Sequence, residues 1–461
     1  MTVPQWIYDA VFYQIFPDRF YNGNTANDPS NCISWEGTPT QNNFFGGDLQ
    51  GIINKLDYIQ EIGCNALYLN PIFHASSNHK YDTIDYFTID PAFGSDRTFD
   101  TLIEEVHRRK MHIVLDGVFN HCGDKFAPFM EAARTGPKSE YWDWFDFYNY
   151  PVIKEPEANY ATCGGAGYLP RLNTENSAVE QFIHSVALHW LERGIDGWRL
   201  DVPYEISPSF WQRFRKTVKT KYPEAYLVAE EWRDASHFLQ GDTFDGAMHY
   251  ELRNLAMDFI IKDALTAEAF SRSLENLWKK MPSKFEFGML MLLGSHDTPR
   301  IITECGGDIQ KVILLLAIML TLPGIPMIYY GDENGMTGNN DPDCRKPMIW
   351  KKRQWNTAIR KTVCELTALR HQLPCLRYGS LRHIYANDRI FVYERYWENE
   401  RILIFINNSR VQRHITLPLP YNDNLFLSDT QTSEVHHINK GKITLNAVLP
   451  RSFHIFKICC K

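Results

Sequence analysis

The sequence predicts an α/β chain whose core is a (β/α)8 TIM barrel, and three observations predict it. Eight short apolar runs recur between residues 11 and 330, separated by stretches long enough for a helix. Strands that alternate with helices pair in parallel, and eight is the number a closed barrel needs. Four of the runs end in carboxylate, histidine or asparagine side chains, and in a parallel barrel all such ends lie on one rim, where active sites collect. Past residue 377 the helical period stops and short β-rich runs alternate with Asn/Asp turns, the pattern of a separate antiparallel β-sandwich.

Taken in order, the first strand lies at 11–17 and the second at 65–70, with a helix over 51–62 between them. A helix over 98–110 leads into the third strand at 112–116, and one over 178–193 into the fourth at 197–201. The fifth strand is 226–230, a weak sixth is 244–248, the seventh is 289–295 and the eighth 325–330. The most membrane-like stretch, 312–330, is interrupted by Pro323, Gly324 and Pro326, so neither piece can span a bilayer. It divides into a buried helix over 308–322 and the eighth strand. The gap from 122 to 177 exceeds an ordinary strand-to-helix connection, which marks it as functional. Its aromatic cluster at 141–148 reads mainly as a small core of its own. A last helix at 354–372 precedes the sandwich, in which nothing suggests catalysis. The expected domains are therefore a barrel (1–121 and 178–376), an insertion (122–177) and a C-terminal sandwich (377–461).

Composition narrows the function. The 461 residues, 44% apolar and 22% charged, describe an ordinary globular protein and exclude disorder. The net charge of −7 is spread without a basic block, against nucleic acid or an anionic membrane as partner. The first six residues lack the cationic start and apolar core of a signal peptide, so a cytoplasmic location is expected. Ten scattered cysteines, of which only Cys459 and Cys460 are close, show no zinc spacing and read as free thiols.

The chemistry sits at the strand ends. Arg199 and Asp201 occupy alternate positions of the fourth strand, so they share a face, and the guanidinium is expected to hold the carboxylate ionised. Alone, this pair also fits a purely structural ion pair. The third strand ends in Asp116, Asn120 and His121, the fifth in Glu230, Glu231 and Trp232, and the seventh in His296 and Asp297. Together the four motifs resemble the α-amylase family of (β/α)8-barrel glycoside hydrolases, over nearly the whole chain.

That resemblance implies a retaining α-glucoside hydrolase, with Asp201 as nucleophile, Glu230 as acid/base and Asp297 as a third carboxylate that binds sugar hydroxyls and helps distort the ring. Glu230 is preferred to Glu231 because the family places a Trp two residues after the acid, where Trp232 stands. His121 and His296 match hydroxyl-binding histidines, and Tyr81 a stacking tyrosine at the same sugar. Asp343 and Arg345 match residues gripping the next sugar, Trp232 would face the leaving-group side as an acceptor platform, and Asp116 and Asn120 would shape the rim. The insertion would wall one side of the cleft. Segments 42–51, 77–82, 169–173 and 332–336 are similar to the neopullulanase, cyclomaltodextrinase and maltogenic amylase group, from which Leu169 and Arg171 depart mildly. That group's usual N-terminal β-domain has no counterpart ahead of the first strand, which leaves monomer and homodimer both open. The implied substrates are maltooligosaccharides, cyclodextrins, pullulan or starch, cleaved at α-1,4 bonds, with α-1,6 bonds open and some transglycosylation. A rival on the same scaffold is a 4-α-glucanotransferase, and one of another class is a non-catalytic glucan-binding or transporter-associated barrel. Asn22, Asn24, Asn27, Asp28, Gly46 and Asp48 resemble a structural Ca2+ site of this branch, with Asn24 where Asp is more usual; a bare Asx-rich turn fits equally. No organic cofactor is implied.

Overall fold

A computed structural model describes residues 3–282, 285–421 and 423–460. The barrel strands are β1 (Phe12–Ile15), β2 (Ala66–Leu69), β3 (His112–Gly117), β4 (Gly197–Leu200), β5 (Tyr226–Ala229), β6 (Gly246–Ala247), β7 (Leu290–Leu292) and β8 (Ile325–Tyr329). They pair in parallel in the order β6-β5-β4-β3-β2-β1-β8-β7. The ring closes where Met248 bridges Leu290 and the His249 N–H donates to the Leu290 carbonyl at 2.8 Å. The weak sixth strand has only two residues. At that seam the backbones crowd: a Cβ on Gly246 would stand 1.7 Å from the Gly288 carbonyl oxygen.

The helices follow the expected places with local corrections. The single helix expected over 51–62 is two, Leu49–Ile53 and Leu56–Glu61, with Asp48 capping the first through the Gly51 N–H. Asp96–Arg108 begins with a Ser95/Thr98 capping box, in which each side chain satisfies the other's backbone N–H. Ser177–Glu192, Ile309–Thr321 and Thr357–Gln372 start on Asn176, Asp308 and Asn356 caps. Among the described residues no helix is long and apolar enough to cross a membrane.

Register decides what the barrel holds. Gln14 lies opposite Tyr68 and Tyr329, Tyr68 opposite Val114, and Asp116 opposite Arg199. Residues opposite one another in a parallel sheet share a face, and i and i+2 do too. Gln14, Tyr68, Asp116 and Arg199 therefore form one buried inward layer just below the rim. Apolar side chains of the other strands and the surrounding helices fill the rest of the core.

Two additions flank the rim. An antiparallel hairpin, Phe73–Ala75 with Thr83–Ile89, carries Tyr81 in its connection. The 122–177 stretch contains a helix, Ala127–Thr135, and the isolated bridges Phe145 to Leu172 and Phe147 to Tyr160. Phe129, Phe145, Phe147 and Tyr160 pack with ring centroids 5.1–6.0 Å apart, a small aromatic core as expected. The C-terminal part is antiparallel: a six-stranded sheet including Ile390–Trp397 and Glu400–Asn407 faces the pair Arg413–Pro418 and Lys442–Val448. Val392, Leu403, Phe405, Leu417, Leu427 and Ile443 lie buried between them.

Because β6 and β7 approach at Gly246, Gly246→Ala should destabilise the protein by about 1–3 kcal/mol, the usual cost of forced overpacking. Chemical denaturation measures it, and an unchanged midpoint would show that the seam has slack.

Candidate active site

The site is built on one buried cation. Arg199 lies inside the barrel, and its Nη1 donates to Asp116 Oδ1 at 2.8 Å and to Asp201 Oδ1 at 2.9 Å. Its Nη2 stands 2.9 Å from Glu230 Oε2. One guanidinium thus meets carboxylates from the ends of β3, β4 and β5. A guanidinium never deprotonates in a protein, so the charge is permanent. Arg199 was expected to hold Asp201 ionised, but one cation faces three carboxylates here. Burial, and then the neighbouring Glu230 charge, push the Asp201 carboxyl well above its ordinary range, while Arg199 pulls the other way.

Glu230 faces the site and Glu231 does not. Glu230 Oε2 accepts the Val202 N–H at 3.1 Å and Oε1 accepts the Trp232 indole N–H at 3.0 Å. Glu231 instead accepts the Arg233 N–H. Val202 takes φ 37°, ψ 50°, a left-handed conformation that a β-branched residue rarely adopts. This turn aims its N–H at Glu230. Trp232 is 37% exposed, and its other face lies flat on Tyr250 at 3.8 Å and 13°.

Asp297 completes the group. Its Oδ1 lies 3.1 Å from Arg345 Nη2 and its Oδ2 3.0 Å from His296 Nε2. Arg345 Nε also donates to the His296 carbonyl at 2.8 Å. Tyr81 stacks parallel to His296, 5.6 Å away, and donates its hydroxyl proton to Asp116 Oδ2 at 2.8 Å. His121 is buried with Nε2 unpaired, and burial pushes its pKa down to about 4, so it is neutral. A buried ring nitrogen without a partner in the protein is available to a ligand hydroxyl. Asn120 approaches the His121 ring at 3.5 Å, interacts with Cys163 of the insertion and accepts the Leu172 N–H at its carbonyl, and Asp116 is taken up by Arg199, Tyr68 and Tyr81; both shape the rim.

Asp343 is not brought in. It turns outward to Lys346, 2.7 Å away, and accepts the Asn339 N–H at 2.7 Å. Asp341 takes the place next to Arg345, with Oδ1 3.2 Å from Nη1. A cavity of about 560 Å³ opens there, lined by Asp341, Arg345, His79, Asn78, Tyr168 and Lys154 among others. Its far wall comes from the insertion, where Lys154 pairs with Asp124. Asp341 was missed because in sequence it is one of two acidic residues flanking Pro342. Its spacing of four from Arg345 was the available signal. Gln14 was also missed, although a lone amide in an otherwise apolar and aromatic strand is itself informative.

The expected cation-site residues gather in one loop system. Asp48 accepts the N–H groups of Gly23, Asn24 and Gly51, and Asn24 Oδ1 accepts that of Ala26. Asn22 Nδ2 donates to Asp28 at 2.7 Å, and a Cβ on Gly46, at φ +78°, would strike the Asp28 carboxylate. Asn22 Oδ1 and Asn27 Oδ1 remain buried and unpaired.

The profile of the α-amylase catalytic domain matches residues 14–365. A cyclomaltodextrinase of Geobacillus thermopakistaniensis is 45% identical over 90% of this chain and 71% of its own length. Neopullulanase 2 of Thermoactinomyces vulgaris is 41% identical over 96% and 77%. Among solved structures, the cyclic α-maltosyl-(1→6)-maltose hydrolase from Arthrobacter globiformis superposes with a TM-score of 0.92 at 40% identity, covering 100% of both chains. A barrel whose β3, β4, β5 and β7 ends converge on this rim, matched by that profile over most of its length, makes the chain a member of the α-amylase family of glycoside hydrolases.

Proposed function

We propose that the protein hydrolyses α-1,4-linked glucose oligomers with retention. The observation that carries this reading is the single guanidinium of Arg199 in contact with both Asp201 and Glu230. Retention needs a nucleophilic carboxylate and an acid about 5 Å apart across the anomeric carbon, and a shared planar cation keeps two carboxyls close. Asp201 attacks the anomeric carbon as Glu230 gives its proton to the leaving oxygen. A glycosyl ester forms, the shortened glucan departs, and water, deprotonated by Glu230, releases Asp201. Coupled carboxyls hold a proton jointly, and the bound glycosidic oxygen supplies the acceptor that draws it through Glu230. Asp297, His296 and His121 meet the hydroxyls of the sugar being cleaved, and Tyr81 lies beside its ring. Arg345 and Asp341 meet the next sugar in the adjoining cavity.

The relatives named above support cyclodextrins, pullulan and maltooligosaccharides as substrates, with α-1,6 bonds tolerated. Ten free thiols fit a reducing cytoplasm. The two orphaned amide oxygens, with Asp28 and the Gly46 carbonyl, fit a hard cation of the Ca2+ type, which would tie the loop to the barrel and play no part in catalysis. Asn24 and Asp48 serve the loop's own hydrogen bonds.

Asp201→Asn should abolish turnover in a folded protein, since the amide cannot attack. Glu230→Gln should retain most activity on aryl glycosides with good leaving groups, and Glu231→Gln should not show this split. The reverse assignment of the two glutamates would overturn the reading.

Trp232 was expected to act as an acceptor platform, and its indole N–H also donates to Glu230. Trp232→Phe keeps a ring on Tyr250 and removes that donor. Steady-state kinetics should show kcat falling roughly 10–100-fold on maltooligosaccharides and far less on activated aryl glycosides. Equal losses on both would point to packing alone.

Adding Ca2+ to EDTA-treated protein should raise the melting temperature by several degrees, because a cation that binds only the folded state stabilises it by mass action. An unchanged melting temperature would leave the loop a bare Asx turn.

A further inference from the structure

His296 sits in a chain of hydrogen bonds whose direction can be read from the number of protons available. Burial pushes the Asp116 carboxyl up and Arg199, bonded at Oδ1, pulls it down; as the carboxylate that Arg199 favours, its Oδ2 can only accept. It takes the Tyr68 hydroxyl at 2.6 Å and the Tyr81 hydroxyl at 2.8 Å. Tyr81 has a single hydroxyl proton and spends it on that carboxylate. Its oxygen also stands 2.7 Å from His296 Nε2 and 3.1 Å from Asn70 Nδ2, so both nitrogens must donate to it. His296 Nε2 therefore carries a proton, and Asp297 Oδ2 stands 3.0 Å from the same nitrogen. Burial first, and then the positive charges of Arg345 and Arg199, push the His296 pKa well below its ordinary value, so the ring is neutral. A neutral ring protonated at Nε2 has a bare Nδ1.

That bare nitrogen meets Gln14, whose Nε2 lies 2.9 Å away. The same amide nitrogen donates its second proton to Asn70 Oδ1 at 3.1 Å. Asn70, in turn, uses its own amide nitrogen on Tyr81, so the orientations of both amides are mutually set. Gln14 Oε1 is left buried without a partner. Turning the amide over would give that oxygen a partner only if His296 were protonated at Nδ1, which the Tyr81 end of the chain opposes.

We propose that Gln14 is a positioning residue: its amide N–H holds His296 as the tautomer protonated at Nε2, which keeps that proton on the Tyr81 oxygen and so orders Tyr81 and the histidine against Asp297. The inference rests on the reading of this rim as a glycoside-cleaving site, and it adds a residue at the base of the barrel layer, one that touches no sugar. The Nε2–H donates to the Tyr81 oxygen and so fixes that ring beside the site, while Asp297 keeps a carboxylate free to accept from a substrate hydroxyl. A ring protonated at Nδ1 would turn its bare Nε2 lone pair on the Tyr81 oxygen and the Asp297 carboxylate. The charged and titratable groups facing this ring are Asp297 on its own segment, Tyr81 and His79 from the hairpin connection, Arg345 from the turn after β8, and Arg199 and Glu230 at the ends of β4 and β5.

The test is long-range 1H–15N correlation of the full-length protein labelled at histidine nitrogens, with His296→Gln identifying the signal. Wild-type His296 should show a protonated Nε2 and a bare Nδ1, and should not titrate between about pH 5 and 8. Gln14→Leu should leave the ring as a mixture of tautomers and lower kcat roughly 10–100-fold with a smaller change in KM, as for a misaligned transition-state contact. Gln14→Glu should move the proton to Nδ1 or charge the ring, and so displace the acidic limb of the kcat/KM profile to higher pH. A wild-type ring protonated at Nδ1 would overturn the proposal without any substitution. So would a Gln14→Leu variant that keeps the wild-type tautomer, whatever its activity. The expected spectrum in a protein that cleaves no α-glucoside would instead overturn the functional reading and leave the tautomer assignment standing.

Discussion

The buried charge of Arg199 is the constraint on which the rest of this structure depends. A guanidinium taken out of water costs several kcal/mol, and only well-placed counter-charges offset it. The barrel supplies three, Asp116, Asp201 and Glu230, from consecutive strands. Consecutive parallel strands present neighbouring inward positions at one height, so no loop has to carry these groups. Burial and the excess of negative charge over that one cation push the Asp201 carboxyl up, and proton transfer is what glycoside cleavage needs.

The outer ring of residues depends on that centre. Asp116 is held by Arg199 and in turn receives Tyr68 and Tyr81, which orders the hydrogen bonds through His296 to Gln14. Asp297 hangs from the same histidine and from Arg345, and Arg345 joins the centre to Asp341 and the cavity beyond. Arg19 steadies this arm by donating to the Arg345 carbonyl at 2.9 Å, while its neighbour Asp18 accepts the N–H groups of Phe45 and Gly46. The left-handed turn at Val202 is local strain kept at the point where a backbone N–H is needed against Glu230, a common place for strain to persist. These are linked positions, so substitutions along this path are expected to be non-additive.

The strand ends were legible in the sequence because chemistry and periodicity coincide there. An apolar run of four or five residues followed by Asp, Glu or His announces both a strand and its exit. The choice of Glu230 over Glu231 came from the Trp two residues on, and the structure gives that spacing a physical content: the indole N–H closes back on the carboxylate. The helix expected over 51–62 is divided because Asn54 and Lys55 end one short helix and begin another, a junction that no proline or glycine announces. Asp343 was named from its match to the family, and with acidic residues on both sides of Pro342 sequence order does not say which carboxylate lies against Arg345.

Local pattern by itself thus determined the class of fold, the order of the strands and the separate β-rich end, because each rests on contacts between residues near in sequence; the roles of the strand-end carboxylates came only from the family that their motifs resemble. The tertiary structure decided which side chains share a proton or a hydrogen bond across strands. Gln14 and His296, Tyr81 and Asp116, Arg199 and Glu230 are separated by 282, 35 and 31 positions, and their partnership follows only from the stagger of strands around a closed ring. Hydrogen bonds act over about 3 Å and depend on angle, so a displacement too small to alter the fold still decides where a proton resides.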